Sequence, residues 1–211
     1  MNRYDCLRLL GPKITDELIV TNLGGVAREW FQLKDREGNL YQPYLGHATP
    51  LALGLALALP HRPVLCLDGD GSMLLSLTVL PVIASQNPPN LKVIVFDNEA
   101  YEATGGLPTL TRSGTDLAAM AKGAGIRFVR SVTSLEKFEE AVDEAYASPC
   151  ACFVAAKVEI MTRRFPYPAL FGAENRFRFV RHIEKTECIQ VMKPPAKALP
   201  QDKMVEIEGA E

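Results

Sequence analysis

The sequence predicts a three-layer α/β/α domain built on a mainly parallel sheet. Apolar runs of strand length alternate with helical segments along most of the chain, the order that puts helices on both faces of a sheet. The runs Pro63-Val64-Leu65-Cys66-Leu67 and Leu91-Lys92-Val93-Ile94-Val95-Phe96 are continuous rather than alternating, as in strands buried on both faces. Each is followed by a polar cluster, Gly69-Asp70-Gly71-Ser72 after the first and Asp97-Asn98 after the second. If these strands are neighbours, both clusters open on one carboxyl edge, where doubly wound folds bind ligands.

The elements follow in order. Residues 5–10 read as a short amphipathic helix and 17–22 as the first strand. Gly24-Gly25 turns the chain into a helix over 26–33, and 34–39 is a charged loop. Residues 49–59 form an apolar helix closed by Pro60. Strand 64–67 leads to a helix over 73–85, in which Pro81 predicts a kink or an early end. Asn87-Pro88-Pro89-Asn90 is a turn before strand 91–96. A helix over 115–123 starts near Gly114 or Thr115, strand 128–132 follows, and a helix over 135–147 takes Thr133 or Ser134 as its cap. Residues 150–158 make a final strand of small and β-branched residues.

From Met161 onward the periodicity fails. Arg163, Arg164, Arg176, Arg178, Arg181 and His182 make this part basic, and Pro194-Pro195 reads as the start of a loose tail. The expected organisation is an α/β domain over residues 1–160 and a basic, partly irregular C-terminal extension over 161–211.

Composition narrows the function. A chain of 211 residues, 47% apolar, can bury a full core and is not disordered. A net charge of −2 argues against a nucleic-acid surface. The cysteines, Cys6, Cys66, Cys150, Cys152 and Cys188, form no C-x-x-C pair, so neither a zinc site nor an iron–sulfur cluster is suggested. Residues 1–10 are mixed and polar, unlike a signal peptide, and the longest apolar stretch, 48–59, is too short to span a bilayer. The expected compartment is the cytosol.

The chemistry starts at Asp70. A carboxylate there and the Asn98 amide oxygen are hard donors, suited to a magnesium or calcium ion that also holds phosphate oxygens. Gly69, Gly71 and Ser72 let an anion approach backbone N–H groups. A second loop, Gln42-Pro43-Tyr44-Leu45-Gly46-His47-Ala48, precedes the apolar helix. In it Leu45 is either a core residue or part of a site. His47 is a cap, a packed side chain or an acid–base group. Tyr101, Glu102 and Thr104 follow Asn98 on a loop expected to move until metal binds. Arg28 and Arg112 are candidate anchors for an anionic substrate, although a loop arginine usually faces solvent. Gly105-Gly106 marks a turn.

Gly-Asp-Gly, then a helix and a strand, then an acidic residue and Asn98, resembles the diphosphate-binding motif of thiamine diphosphate enzymes. Asp97-Asn98-Glu99-Ala100-Tyr101 with Thr104-Gly105-Gly106 is most similar to the sulfopyruvate and phosphonopyruvate decarboxylases. The resemblance spans residues 21–158. It implies that Asp70 and Asn98 ligate Mg2+, with the backbone carbonyl of Ala100 as third protein ligand, and that the metal bridges the cofactor's diphosphate. It implies that Gly69, Gly71 and Ser72 hold the diphosphate and that Tyr101 lies beside the cofactor. Leu45, followed by Gly46, matches the apolar residue that wedges between the cofactor's two rings. Pro43 matches the residue whose carbonyl accepts from the aminopyrimidine, and His47 falls where a proton-transferring or cofactor-proximal group would sit. Pro43, Tyr44 and Ala100 depart from the usual residues.

Enzymes of this family use two related domains, and the chain has room for one. The resemblance therefore implies a partner chain, the pyrimidine-binding α subunit, which supplies the Glu that activates the cofactor, in a hetero-oligomer of dimers. The expected function is the β subunit of a 2-oxo acid decarboxylase, with 3-sulfopyruvate as a candidate substrate. The alternatives are the small subunit of a carboligase or oxidoreductase, or a catalytically inactive domain that binds cofactor or a partner.

Overall fold

The computed structural model describes residues 1–41, 44–160, 165–168, 170 and 172–192. Helix α1 (Arg3–Leu10) opens the chain, with Asn2 accepting from the Tyr4 N–H as its cap. Strand β1 (Leu18–Thr21) leads through Gly24 into α2 (Gly25–Lys34). Strand β2 (Asn39–Tyr41) and helix α3 (Ala48–Ala58) precede β3 (Val64–Gly69). Short helices α4 (Asp70–Leu75) and α5 (Val79–Gln86) carry the chain to β4 (Leu91–Asp97). A small antiparallel hairpin, β5 (Ala100–Tyr101) and β6 (Leu107–Pro108), follows. Then come α6 (Leu117–Gly123), β7 (Phe128–Val132), α7 (Leu135–Ala147), β8 (Cys152–Lys157) and α8 (Gly172–Glu187).

The main sheet runs β2-β1-β3-β4-β8-β7 and every pairing in it is parallel. Alternation along each strand feeds two apolar layers. Leu18 and Val20 of β1 join α3, α5, α6 and α8 on one face, while Ile19 joins α1, α2 and α7 on the other. The chain runs outward from β1 to β2, then returns across β1 to β3 and continues the other way. The direction of winding therefore reverses between β1 and β3, and in such sheets the crevice lies at that reversal.

Several expectations need correction. Pro81 neither kinks nor ends a helix. It sits in the first turn of α5, where a missing N–H costs nothing, and the break falls earlier, between α4 and α5. The loop expected over 34–39 gives way at its last residue to a strand the sequence did not predict, Asn39–Tyr41, which adds a parallel edge to β1. The basic extension is not irregular throughout either. Helix α8 places Phe179 and Ile183 in the core, and the Asn175 side chain accepts from the Tyr41 N–H and donates to the Asn39 carbonyl. A side-chain amide thus occupies the free edge of β2 in place of another strand. Arg163, Arg164 and Pro194-Pro195 lie outside the described residues. Helix α6 starts later than expected because Asp116, not Gly114 or Thr115, takes the Ala119 N–H; α7 is capped by Ser134.

Among the described residues no helix is long and apolar enough to cross a membrane. All five cysteines are free thiols, and all but Cys188 are buried.

Candidate functional site

Strands β3 and β4 pair with Gly69 opposite Phe96, so the residues that follow each strand emerge side by side at the carboxyl edge. A cavity of about 170 Å³ lies there. Its wall comes from residues 22–26 after β1, Leu45 before α3, residues 69–72 after β3, and Phe96, Asn98 and residues 100–104 around β4 and the hairpin. Helices α2 and α4 both begin on this cavity. Their cap positions, Gly24 at φ +81° and Gly69, provide no side-chain acceptor for the first N–H groups. Uncapped amides at a helix start attract an anion.

Asp70 is almost fully buried in this wall. Its Oδ2 accepts from the Thr109 hydroxyl at 2.6 Å, with the Thr111 hydroxyl 3.2 Å away. Burial pushes the Asp70 carboxyl above its ordinary value and neighbouring Asp97 adds to the rise, while the Thr109 hydrogen bond works against it. The Thr111 hydroxyl also lies 2.7 Å from Asp97 Oδ1, and Lys157 Nζ donates to Asp97 Oδ2 at 2.9 Å and pairs with Glu99 at 2.7 Å. Asn98 Oδ1 accepts from the Ala100 N–H at 3.1 Å. Ala100 stands opposite Pro108 at a non-hydrogen-bonded position of the hairpin, next to the Thr109 N–H bond to the Glu99 carbonyl.

The other expected positions divide. Leu45, Gly69, Gly71, Ser72 and Tyr101 line the cavity with Asp70, Asn98 and Ala100. Gly46, at φ +81°, does not line it but donates its N–H to the Ser72 hydroxyl at 3.0 Å, tying the Leu45 loop to the turn after β3. A Cβ on Gly71 would run into the Tyr101 ring, so glycine there is a requirement of close packing. His47 stands apart: it is exposed, its Nδ1 lies 2.9 Å from the Leu45 carbonyl oxygen, and its ring meets Tyr44 edge-on. Pro43 lies outside the described residues. Arg28 lines a neighbouring cavity, its guanidinium 3.5 Å above the Tyr167 ring, and Arg112 is exposed.

Several site residues escaped the sequence reading. Arg3 reaches the cavity from α1 and bonds Glu29 through Nε and Nη2 and Glu102 through Nη2. Burial opposes the Arg3 charge and the two carboxylates overcome it, whereas burial dominates at Glu29 and raises its carboxyl. A Cβ on Gly25 would collide with that guanidinium. Asp68, fully buried in β3, accepts from the Thr49 hydroxyl at 2.6 Å and the Gly69 N–H at 2.8 Å, anchoring the first turn of α3; burial raises its carboxyl too. Thr109 and Thr111 had one signal, the Gly105-Gly106 turn. Both glycines take positive φ and reverse the hairpin that brings the threonines back to Asp70.

The donors suit a hard cation in a particular way. Among the described residues no three His, Cys, Asp or Glu side chains gather to hold a metal. The cavity instead offers the Asp70 carboxylate, the Asn98 amide and the backbone of Ala100 in its wall. Mg2+ takes about six oxygens and commonly fills out its shell with phosphate and water. Such an ion fits here together with an anion on the uncapped amides.

Residues 30–156, which include the Asp70 and Asn98 turns, match the family model for the thiamine pyrophosphate enzyme, C-terminal TPP binding domain. The chain belongs to this family. Within it, the chain is 40% identical over 186 residues to the sulfopyruvate decarboxylase subunit beta of Methanocaldococcus jannaschii, covering 87% of this chain and 98% of that one. It is 31% identical to the subunit of the same name from Methanococcus maripaludis, covering 88% and 99%. The phosphonopyruvate decarboxylase of Streptomyces viridochromogenes is 39% identical over 142 residues, but those make only 35% of that protein. Among solved structures, the thiamine diphosphate-dependent 4-hydroxybenzoylformate decarboxylase of Rhodococcus jostii RHA1 superposes with a TM-score of 0.68 at 26% identity, over 77% of this chain and 33% of that one. The chain is thus homologous, nearly end to end, to proteins named as sulfopyruvate decarboxylase subunit beta, and to about a third of the phosphonopyruvate and 4-hydroxybenzoylformate decarboxylases.

Proposed function

We propose that this protein is the diphosphate-binding subunit of a thiamine diphosphate- and magnesium-dependent 2-oxo acid decarboxylase, acting on 3-sulfopyruvate together with a pyrimidine-binding partner. The observation that carries the reading is the convergence, in one cavity, of the Asp70 carboxylate, Asn98 and Ala100 with two helix starts that have no side-chain cap. In this reading Asp70, Asn98 and Ala100 hold Mg2+, and the amides near Gly25, Gly71 and Ser72 hold the diphosphate. Leu45 presses on the cofactor from the side, its loop fixed by the Gly46–Ser72 hydrogen bond. When thiamine diphosphate is bound, the chemistry supplied is a carbon nucleophile and an electron sink for loss of carbon dioxide. The chain's own residues bind and orient it. His47, exposed beside the Leu45 loop, is placed to move a proton only where a partner covers it.

The partner has its own support. At about 170 Å³ the cavity is smaller than the 300–1,000 Å³ of complete small-molecule sites, which fits half of a shared one. Around it Tyr44, Leu75, Leu107 and Leu110 are each more than 60% exposed, a rim of large apolar side chains of the kind that marks an interface. The hetero-oligomer of dimers and the cytosolic location belong to this reading, and the free thiols suit a reducing compartment.

Calorimetric titration of thiamine diphosphate and Mg2+, with and without the pyrimidine-binding chain, tests the proposal. Asp70→Ala should weaken magnesium-dependent binding by about a hundredfold or more while leaving the fold intact, since it removes the charged ligand. Carbon dioxide release from 3-sulfopyruvate should need both chains. Wild-type cofactor affinity in Asp70→Ala would remove the metal assignment, and full turnover by this chain alone would remove the partner.

A further inference from the structure

The loop over residues 98–111 leaves the sheet beside Asp70 and comes back to it. The β5–β6 hairpin reverses at Gly105 and Gly106, and the Thr109 N–H donates to the Glu99 carbonyl at 3.1 Å. That closure buries Thr109 and Thr111 at 2% and 4% exposure, while Leu110 between them faces solvent. Both hydroxyl oxygens then stand against the same carboxylate oxygen, Asp70 Oδ2, and 2.9 Å from each other.

Each hydroxyl carries one proton. The two shortest contacts assign them: Thr109 donates to Asp70 at 2.6 Å and Thr111 to Asp97 at 2.7 Å. Asp97 is held in turn by Lys157. Thr109 alone then donates to Asp70 Oδ2, while Thr111 is held by Asp97, which Lys157 of β8 holds in turn, and packs beside Thr109 without a proton to spare for Asp70. A carboxylate free to rotate about its last bond would offer either oxygen at a range of angles; this one cannot.

We propose that Thr109 and Thr111 are positioning residues for the metal. The Thr109 hydroxyl locks the Asp70 carboxylate in one orientation, and the Thr111 hydroxyl, donating to Asp97, fixes the returning strand of the hairpin so that Thr109 and Ala100 stay in register with it. The inference rests on the reading of Asp70 as a metal ligand. It has a consequence that mere satisfaction of a buried carboxylate lacks. Mg2+ demands near-ideal octahedral geometry, whereas Ca2+ accepts variable geometry at longer distances. Loosening Asp70 should therefore harm Mg2+ binding more than Ca2+ binding.

The test titrates Mg2+ or Ca2+ into the assembled two-chain complex at fixed thiamine diphosphate, with intrinsic fluorescence reporting cofactor binding. Thr109→Val should raise the half-saturating Mg2+ concentration by about tenfold or more, Thr111→Val should raise it less, and Thr109→Ser should stay within about twofold of wild type, as for residues that orient a metal ligand. The Ca2+ midpoint should move by clearly less than the Mg2+ midpoint. If Thr109→Val does not fold, Thr109→Cys, which keeps the size but has only a weak S–H donor, takes its place. Wild-type Mg2+ midpoints in the Thr109 and Thr111 variants, or equal shifts for both ions, would overturn the positioning role. Asp70→Ala separates the two claims: if it keeps the wild-type Mg2+ dependence, the ligand assignment itself falls.

Discussion

At the amino end of the sheet, the Lys92 ammonium donates to the carbonyls of Pro89, Ser148 and Cys150 at 3.0, 3.1 and 3.0 Å, and Asn90 donates to those of Ala56, Leu59 and Arg62. At the carboxyl end, neither Gly24 nor Gly69 offers a side-chain cap to the helix starts of α2 and α4. Both ends bury polar groups: the amino end turns these donors onto its own backbone, although the Asn90 Oδ1 beside them has no hydrogen-bond partner, and the carboxyl end has two helix starts without a side-chain cap. An ammonium has three N–H donors, and Lys92 uses all three on backbone, which leaves nothing for a ligand. The difference separates structure from function more sharply than burial or charge alone. A buried ion whose valences are filled by its own fold is a brace; a cluster of buried donors and acceptors with valences left over is a site.

The largest effect should come from the brace. Lys92→Met removes a charge and strands three carbonyls, and should lower stability by about 2–4 kcal/mol. Urea unfolding measures this, and cofactor affinity in the folded fraction should stay at the wild-type value. Asp70→Ala is its mirror image, with affinity lost and stability kept. A Lys92 variant that unfolds normally but binds cofactor poorly would blur the division between the two ends.

A smaller effect sharpens it from the other side. In Gly71→Ala the new Cβ meets the Tyr101 ring, a movable obstacle, so overpacking should cost the fold about 1 kcal/mol. The displaced ring enters the cavity that both residues line, and calorimetry should find thiamine diphosphate bound about tenfold more weakly. Loss of stability with unchanged affinity would show that this glycine serves packing alone.

The sequence carried the sheet and the heart of the site for a common reason: both are written in local runs. Residues 128–132 and 135–147 formed their elements at the expected ends because each run is bounded by its own cap or turn. Asp70 and Asn98 stood out because each follows a buried strand, and parallel pairing then brings them together. What was illegible depends on pairing at a distance. Strand β2 is three residues with a polar start, and only its register with β1 makes it a strand. Helix α8 has Phe179 and Ile183 at helical spacing, but arginines on its other faces hide them. Thr109 and Thr111 are ordinary loop threonines until the hairpin folds them onto Asp70. Arg3, an N-terminal residue, joins the site only because Gly25 leaves it room.

The smallest predicted effect concerns charge that neither end of the sheet buries. Arg178 of α8 makes a two-pronged pair with Asp35 at the end of α2, at 2.8 Å for each bond. Burial raises the Asp35 carboxyl, but the Arg178 and Tyr41 hydrogen bonds outweigh it and hold the group below its ordinary value of 3.8. A carboxyl whose folded value lies below its unfolded one adds stability above the unfolded value and loses it as pH falls through the folded one. The Arg178–Asp35 contribution is thus present at pH 7 and fades below about pH 4, in keeping with the ordinary aspartate range. Both side chains are partly exposed, so water screens the pair and the gain should be about 0.5 kcal/mol or less. That is too little to read in a global melt, but α8 is tied to the edge of β2 and should feel it locally. In Asp35→Asn, amide hydrogen exchange in α8 should quicken by about twofold at pH 7, the equivalent of that energy. As pH falls below about 4, the gap between the variant and the wild type, compared under the same conditions, should narrow. A gap that stays constant as pH falls well below the ordinary aspartate value would mean that Asp35 holds α8 through hydrogen-bond geometry rather than charge, and would move this contact into the same class as the Lys92 brace.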